Sequence, residues 1–215
     1  EMSASLVGSE MCIRDREEVE TLARVGSIPI INGLTDFCHP CQVLADLQTV
    51  REYKGRIEGL NMCYIGDGNN MANSLIVGFL KMGAHVSIAC PKAYQPDAQV
   101  LSFTEQYPGK FFMTESPEEA AKDADVIFTD VWASMGQEEE KAVREKAFRG
   151  YQINAELLAK AHLGCMVQHC LPAHRGEEIT ADVFESHADQ IFDEAENRLH
   201  AQKAVMAVSY THLRA

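Results

Sequence analysis

The sequence predicts an α/β protein built on a doubly wound parallel sheet with helices on both faces. Short apolar runs alternate along the chain with stretches whose apolar residues recur at helical spacing. This alternation is typical of parallel strands joined by right-handed helical crossovers. Polar clusters follow three of the apolar runs, at 66–70, 130–136 and 169–175. Ligands bind at the carboxyl ends of strands in Rossmann-like sheets, so these clusters favour the same fold.

The first part of the chain contains three apolar runs and two helical stretches. The run 27–32 predicts a strand that enters a turn at Gly33, and the spacing of apolar residues predicts a helix over 42–53. The run 60–65 predicts a strand that stops at the first polar cluster. A helix over 71–82 follows, and a strand over 85–90 is closed by a proline.

The second part of the chain continues the alternation. Ser116 and Glu119 form a capping-box pattern around a proline at the first helical position, which predicts the start of a helix. The other predicted helices have helical spacing and the other predicted strands are apolar; in order they are helix 97–106, strand 110–113, strand 125–130, helix 138–148, helix 154–162 and strand 165–169.

Composition excludes several classes of protein. A net charge of −13 argues against a nucleic-acid or anionic-membrane surface, because both require basic patches. No apolar run has the length of a membrane span, and no signal peptide is recognisable. Seven cysteines at irregular spacing fit a reducing cytoplasm better than a disulfide framework. We therefore expect a cytoplasmic protein with a small-molecule ligand and neither nucleic acid nor membrane as a partner.

The three polar clusters are expected to meet at one edge of the sheet. Asp130 offers a carboxylate to an ammonium group, and Asn70 at a helix start offers an amide beside free backbone N–H groups to a carboxylate. Ser134 and Met135 lie on the loop that follows and are placed to fold over the same small ligand. The alternatives are structural, because Asp130 also suits a loop end and Asn69 or Asn70 a helix N-cap.

The cluster at 169–175 reads His-Cys-Leu-Pro-Ala-His-Arg. The thiol of Cys170 suits a nucleophile or a weak hydrogen-bond partner, although a cysteine at a strand end is equally often buried packing. Arg175 suits an anion, and Pro172 would fix the turn through a trans or a cis bond.

Two other chemistries compete with this interpretation. The segment 66–71 supplies only two glycines of a dinucleotide-binding pattern, and no acidic residue ends the next strand, so NAD is not expected. Cys38 and Cys41 have the spacing of a redox or zinc pair, which His169 and Cys170 would complete as a set of four ligands. We expect no metal and no cofactor.

Six segments, in order and spacing, resemble the ornithine carbamoyltransferases. The Asp-x-x-x-Ser-Met-Gly loop discriminates best, because it resembles the ornithine enzymes rather than the aspartate ones. The segments are Leu34-Thr35-Asp36, His39-Pro40-Cys41-Gln42, Gly66-Asp67-Gly68-Asn69-Asn70, Asp130-Val131-Trp132-Ala133-Ser134-Met135-Gly136, His169-Cys170-Leu171-Pro172 and Glu194-Ala195-Glu196-Asn197-Arg198. The resemblance implies that the sheet is the second domain of a two-domain carbamoyltransferase.

The resemblance also implies roles for single residues. The ornithine-binding residues would be Asn70, Asp130, Ser134 and Met135. Carbamoyl phosphate would contact His39, Gln42, Cys170, Leu171 and Arg198. Of these, Cys170, Arg198 and His39 would lie at the reacting groups, and the bond between Leu171 and Pro172 would be cis.

Parts of the chain depart from the family pattern, and these departures divide it into five expected segments. The Ser-x-Arg-Thr loop that binds phosphate in the family is not in this sequence. We expect a non-native or disordered tail at 1–16, a remnant of the carbamoyl phosphate domain at 17–54, an ornithine-binding domain at 55–190, a helix at 191–208 and a second non-native tail at 209–215. The helix would expose Leu199, Ala204, Val205 and Met206, which favours aggregation.

Two functions follow from these expectations. In the first, the chain is part of an ornithine carbamoyltransferase, the 215 residues alone form no citrulline, and the parent enzyme is a homotrimer or a multiple of one. In the second, the chain is a non-catalytic amino-acid-binding module. Whether the parent makes or degrades arginine is open, because both directions use the same residues.

Overall fold

A five-stranded parallel sheet forms the centre of the computed structural model, which describes residues 15–133 and 140–212. The strands are β1 (Asn61–Ile65), β2 (His85–Ala89), β3 (Phe111–Thr114), β4 (Val126–Thr129) and β5 (Met166–His169), in the order β3-β2-β1-β4-β5. Chain order reverses direction at β1, so the predicted doubly wound fold is confirmed. Ile65 is paired with Ala89 and Thr129, and Thr129 with His169, so these strand ends lie side by side.

Nine helices lie within the described residues. They are α1 (Arg16–Val25), α2 (Pro40–Lys54), α3 (Asn70–Lys81), α4 (Ala98–Thr104), α5 (Pro117–Ala121), α6 (Lys141–Ala147), α7 (Ala155–Leu158), α8 (Ala181–Ser186) and α9 (Ala188–His212). None of the helices in these ranges is long and apolar enough to span a membrane.

The core has two layers, one on each face of the sheet. Along β1, Met62 and Tyr64 face the layer that contains Phe79 of α3, whereas Cys63 and Ile65 face the other layer. All four strand residues are fully buried. A strand covered on both faces is apolar throughout, which explains why the runs 60–65 and 125–130 are continuous rather than alternating.

The predicted strand 27–32 is wrong. The segment has no regular structure, and Ile28 and Ile31 are exposed. A strand exists only when its N–H and C=O groups are paired with a neighbour, and no described strand lies beside this segment. The apolar pattern indicated a strand but carried no information about a partner.

Other boundaries shift without changing the fold. The predicted helix 154–162 is shorter, and α1 and α8 were not predicted. At α5, Ser116 caps the helix by accepting the Glu119 N–H. Glu119 accepts a hydrogen bond from Thr114 at 2.7 Å instead of completing the capping box.

The last helix, α9, packs along α2. Asn197 donates to the hydroxyl of Thr49 at 2.9 Å, and Tyr53 donates to the carboxylate of Asp193 at 2.5 Å. One face of α9 is therefore covered by α2. Leu199 and Met206 remain 59% and 54% exposed, as expected for them, whereas Val205 is half-buried. Aggregation through the exposed face stays a prediction.

Candidate active site

Three chain segments converge on the carboxylate of Asp130, directly after β4. Its Oδ2 accepts from Asn69 Nδ2 at 2.8 Å, and its Oδ1 lies 3.1 Å from Cys170 Sγ. Asn69 follows β1 and Cys170 follows β5, the two strands that flank β4. Asp130 is buried. The predicted convergence of strand ends is therefore confirmed, and its centre is a buried carboxylate.

Cys170 is a hydrogen-bond donor in this arrangement. Burial, followed by the charge of Asp130, raises the pKa of the Cys170 thiol well above its ordinary value. The sulfur therefore keeps its proton at neutral pH and donates it to Asp130. A nucleophilic cysteine needs the opposite environment, because the thiolate is the reactive form. Of the two roles left open for Cys170, the geometry favours the hydrogen-bond partner.

The amino terminus of α3 lies beside Asp130. Asn69 is the N-cap, since its Oδ1 accepts the N–H groups of Met71 and Ala72. The structural alternative is thus correct for Asn69, although its amide nitrogen also holds Asp130. Asn70 is the first helical residue, and its Nδ2 donates to the Thr35 carbonyl at 2.9 Å. Asn70 therefore connects the helix start to the segment before α2.

His39 stands at the N-cap position of α2 without capping it through its side chain. Its backbone N–H donates to Ser74 Oγ at 2.7 Å, which joins α2 to α3. Burial, and then the nearby charge of Arg198, lowers the pKa of His39 to about 4. His39 is therefore neutral at pH 7 and lies in the electrostatic field of Arg198, which is half-buried on α9.

Gln42 is fully buried between two carboxyl groups. Its Nε2 donates to Asp46 Oδ1 at 3.0 Å and to Glu194 Oε1. Burial raises the pKa of Asp46 well above its ordinary value and that of Glu194 to about 7. Because both amide hydrogens are used, only Oε1 of Gln42 is left for a ligand, as an acceptor. Among the described residues this oxygen is buried without a partner.

The segment after β5 contains the predicted cis bond. The peptide bond between Leu171 and Pro172 is cis, and Leu171 has a φ of +51°. The Leu171 N–H donates to Nδ1 of His169 at 2.9 Å. The sequence pattern identified this turn and its proline, but not the histidine that holds it.

Arg175 does not serve as an anion holder at this edge of the sheet. Its Nη2 lies 2.7 Å from a carboxylate oxygen of Glu185, and its guanidinium stacks 4.3 Å from the Phe184 ring centroid. The sequence placed Arg175 with the strand end by proximity along the chain, whereas α8 supplies its actual partners. Ser134 and Met135 lie outside the described residues.

The two rival chemistries lack support. A Cβ on Gly68 would come within 2.5 Å of backbone atoms of Tyr94, Gln95 and Pro96. Gly68 therefore packs against the backbone of this segment and leaves no space for a phosphate. The thiol of Cys41 contacts the Asn32 carbonyl, and that of Cys38 contacts the Asn32 amide. Neither cysteine joins His169 or Cys170, and the one possible ligand group in the described ranges is His174, Glu177 and Glu178. The four-ligand hypothesis is therefore wrong.

Several functional candidates were missed by the sequence analysis. Asp46 lies four residues after Gln42 and Ser74 four after Asn70, so helical spacing would have placed each pair on one face. Arg144 and Glu178 had no such signal. Their partners, Asp67 at 2.6 Å and His169 at 3.0 Å, are brought to them by tertiary structure.

A doubly wound sheet with polar groups gathered beyond adjacent strand ends places the chain among α/β proteins that bind a small molecule at that edge. Comparison with protein families identifies the family within this class. The Asp/Orn binding domain of aspartate/ornithine carbamoyltransferase matches residues 58–209, and the carbamoyl-P binding domain of the same family matches residues 2–52. The chain belongs to the aspartate/ornithine carbamoyltransferase family.

Individual relatives agree with this assignment. The chain is 54% identical over 198 residues to an ornithine carbamoyltransferase of Thermococcus kodakarensis, which covers 90% of this chain and 63% of the relative. The structure of ornithine carbamoyltransferase from Pyrococcus furiosus is 51% identical with a TM-score of 0.84, over 90% of this chain and 63% of that one. The anabolic enzyme of Campylobacter jejuni is 38% identical with a TM-score of 0.87, over 91% and 66%. The chain thus spans about 63% of the length of the curated relative.

Proposed function

We propose that the chain is the ornithine-binding part of an ornithine carbamoyltransferase, which converts carbamoyl phosphate and L-ornithine to L-citrulline and phosphate. The observation that carries the proposal is the buried carboxylate of Asp130, oriented by Asn69 and Cys170 at the meeting point of three strand ends. No Lys, Arg or His in the described ranges forms an ion pair with Asp130. An ammonium group of a substrate would supply the missing positive charge.

The α-carbon end of ornithine fits this edge of the sheet. Its α-ammonium is assigned to Asp130, and its α-carboxylate to Asn70 at the positive end of α3. Ser134 and Met135 complete the proposed set of ornithine-binding residues. Holding the α-carbon end leaves the side-chain amine free to reach toward Cys170 and Leu171.

The carbamoyl end is assigned to the residues between α2, α9 and the turn after β5. His39 and Arg198 lie near the carbonyl oxygen, where a cation and an N–H donor stabilise developing negative charge. The acceptor Oε1 of Gln42 and the Leu171 carbonyl suit the carbamoyl NH₂ group. Cys170 lies beside the carbamoyl carbon as a neutral thiol.

The reaction requires a neutral amine and close orientation. The side-chain amine of ornithine titrates near the lysine value of about 10.4, so it must lose a proton before it attacks the carbamoyl carbon. That first proton goes to the solvent. A C–N bond then forms, the C–O bond to phosphate breaks, and the departing phosphate accepts the second proton, which the nitrogen loses as the C–N bond forms. No protein base is required, so orientation supplies most of the catalysis.

The wider assignment follows the relatives. Two of them, from Pyrococcus furiosus and Campylobacter jejuni, are named anabolic. We extend this role to arginine biosynthesis in the cytoplasm, by a parent enzyme that is a homotrimer or a multiple of one. The substrates are small molecules, and neither nucleic acid, membrane nor cofactor takes part.

Calorimetric titration with L-ornithine tests the proposal. We expect L-ornithine to bind and L-aspartate not to bind. Loss of the charged hydrogen-bond partner in Asp130→Asn should weaken binding about tenfold or more, whereas Asp189→Asn at an exposed position should not change it. If L-aspartate bound more tightly than L-ornithine, the chain would instead be assigned L-aspartate, the other substrate named for the family. Because the 215 residues alone are expected to form no citrulline under either hypothesis, citrulline formation on addition of carbamoyl phosphate would exclude the non-catalytic module.

A further inference from the structure

His169 is buried directly below the turn that carries Cys170 and Leu171. The Leu171 N–H points at its Nδ1 at 2.9 Å. A nitrogen that accepts an N–H bond carries no proton of its own, so the proton of the neutral ring is on Nε2. The opposite tautomer would place two N–H groups against each other.

Glu178 occupies the other side of the ring. Its Oε1 lies 3.0 Å from His169 Nε2 and also accepts the His174 backbone N–H at 2.6 Å. Both the His169 and Glu178 side chains are completely excluded from solvent. The Glu178 carbonyl accepts the Ile153 N–H at 2.8 Å, which fixes the backbone that carries this carboxylate. Glu178 therefore selects the tautomer that accepts from Leu171.

The backbone of Leu171 needs such an anchor. Its φ of +51° lies in the left-handed region, which L residues other than Gly, Asn and Asp rarely occupy. Residues in this region persist only where their surroundings fix them, and such residues cluster at functional sites. The preceding residue, Cys170, holds Asp130 through its thiol.

We propose that Glu178 and His169 are positioning residues: Glu178 fixes the Nε2–H tautomer of His169, and His169 Nδ1 holds the Leu171 N–H, so that the Cys170 thiol stays on Asp130. The proposal rests on the proposed function for its consequence in ornithine binding. The hydrogen-bond chain itself is independent of the ligand. It runs from the carboxylate of Glu178, nine residues after His169, through the His169 ring to the turn at the sheet edge.

Nitrogen NMR of the His169 ring tests the tautomer without any ligand. In ¹⁵N-labelled chain at about pH 8 we expect a protonated Nε2 and a bare Nδ1. Glu178→Gln keeps an acceptor oxygen for Nε2–H and should preserve this pattern. Glu178→Met removes the acceptor and should allow a mixture of tautomers. A protonated Nδ1 in the unmodified chain would overturn the proposal.

Two substitutions of His169 separate positioning from simple packing. His169→Asn retains an acceptor at the Nδ1 position but loses the donor to Glu178. His169→Gln retains a donor toward Glu178 but loses the acceptor for the Leu171 N–H. Each variant loses one buried hydrogen bond, so urea unfolding should show similar destabilisation in both.

The accessibility of Cys170 should change only in His169→Gln. In His169→Gln we expect alkylation of Cys170 by iodoacetamide, followed by mass spectrometry of its peptide, to accelerate about tenfold, as loss of one hydrogen bond allows. In His169→Asn the rate should stay near that of the unmodified chain. Equal acceleration in both variants would show a structural role only and overturn the proposal.

Ornithine affinity distinguishes this proposal from the proposed function. If ornithine binds, His169→Gln should weaken it by about the same factor as it accelerates alkylation, and His169→Asn should not. If the unmodified chain does not bind ornithine while the NMR and alkylation results hold, the substrate assignment fails and the positioning of Cys170 stands.

Discussion

Nη1 of Arg144 lies 2.6 Å from Oδ2 of Asp67, and both side chains are buried. Asp67 follows β1, and Arg144 lies on α6. The same Nη1 donates to the Trp132 carbonyl at 3.0 Å, and the guanidinium lies 4.9 Å from the Tyr94 ring centroid. This one cation therefore links the turn after β1 to the segment after β4, on the edge of the sheet that carries Asp130.

Removing the cation should destabilise the fold. Burial already raises the pKa of Asp67 although Arg144 opposes that shift. In Arg144→Met the carboxylate would lose its partner, and breaking a buried pair in this way costs about 3 kcal/mol. Urea unfolding at pH 8 measures the loss in free energy of unfolding.

The matched control is Arg16→Met, which breaks an exposed pair with Glu20. Exposed pairs contribute at most about 1 kcal/mol, so this variant should unfold almost as the unmodified chain does. If Arg144→Met were as stable as Arg16→Met, the buried pair would not hold the two strand-end segments together.

His39 should stay neutral until the solution is acidic. Its pKa of about 4 is lowered by burial and then by the charge of Arg198. Because the folded-state pKa is depressed, this histidine costs no stability above about pH 6.5 and reduces it as pH falls from about 6.5 toward 4. Arg198→Gln removes the second cause, so the pKa of His39 should rise.

Proton NMR of the His39 ring follows this titration directly. Lys203→Gln is the control, because it removes an exposed cation from the same helix. If the titration midpoint of His39 moved equally in both variants, the charge of Arg198 would have no specific effect on the pKa of His39. The assignment of His39 and Arg198 to the same carbonyl oxygen would then fail.

The sequence predicted the fold because its signals are local. Apolar runs and helical spacing lie within single segments, and right-handed crossovers then determine the sheet order. The same logic brought Asp130 and Cys170 together, since adjacent parallel strands end at one edge. It failed for 27–32, where an apolar run had no strand to pair with.

The missed residues depend on tertiary contacts between distant segments. Glu194 meets Gln42 across the contact of α9 with α2, and Arg144 reaches Asp67 from α6. No periodicity encodes these distances. The resemblance to a family supplied roles for Gln42 and Arg198, but no role for the carboxyl groups that orient Gln42 or for the carboxylate that orients His169.

The buried carboxyl groups of Asp46 and Glu194 should make stability depend on pH. Burial raises the pKa of Glu194 to about 7, and burial together with the charge of Glu194 raises the pKa of Asp46 well above its ordinary value. Arg198 opposes both shifts, and Gln42 bridges the two groups. The folded state therefore holds a proton that the unfolded chain releases near pH 4.5.

A raised carboxyl pKa stabilises the fold at low pH, and this contribution is lost as pH rises from about 4.5 through 7. Glu194→Gln replaces the titrating group by a neutral amide that still accepts from Gln42 and donates to Asp46. Relative to the unmodified chain, this variant should therefore gain stability as pH rises, by about 3 kcal/mol between pH 4.5 and pH 8. Urea unfolding at pH 5, 6, 7 and 8 measures the difference, with exposed Glu196→Gln as the control. A difference that does not change with pH would mean that Glu194 has the same pKa in the folded and the unfolded chain, so that burial does not hold a proton on this pair of carboxyl groups.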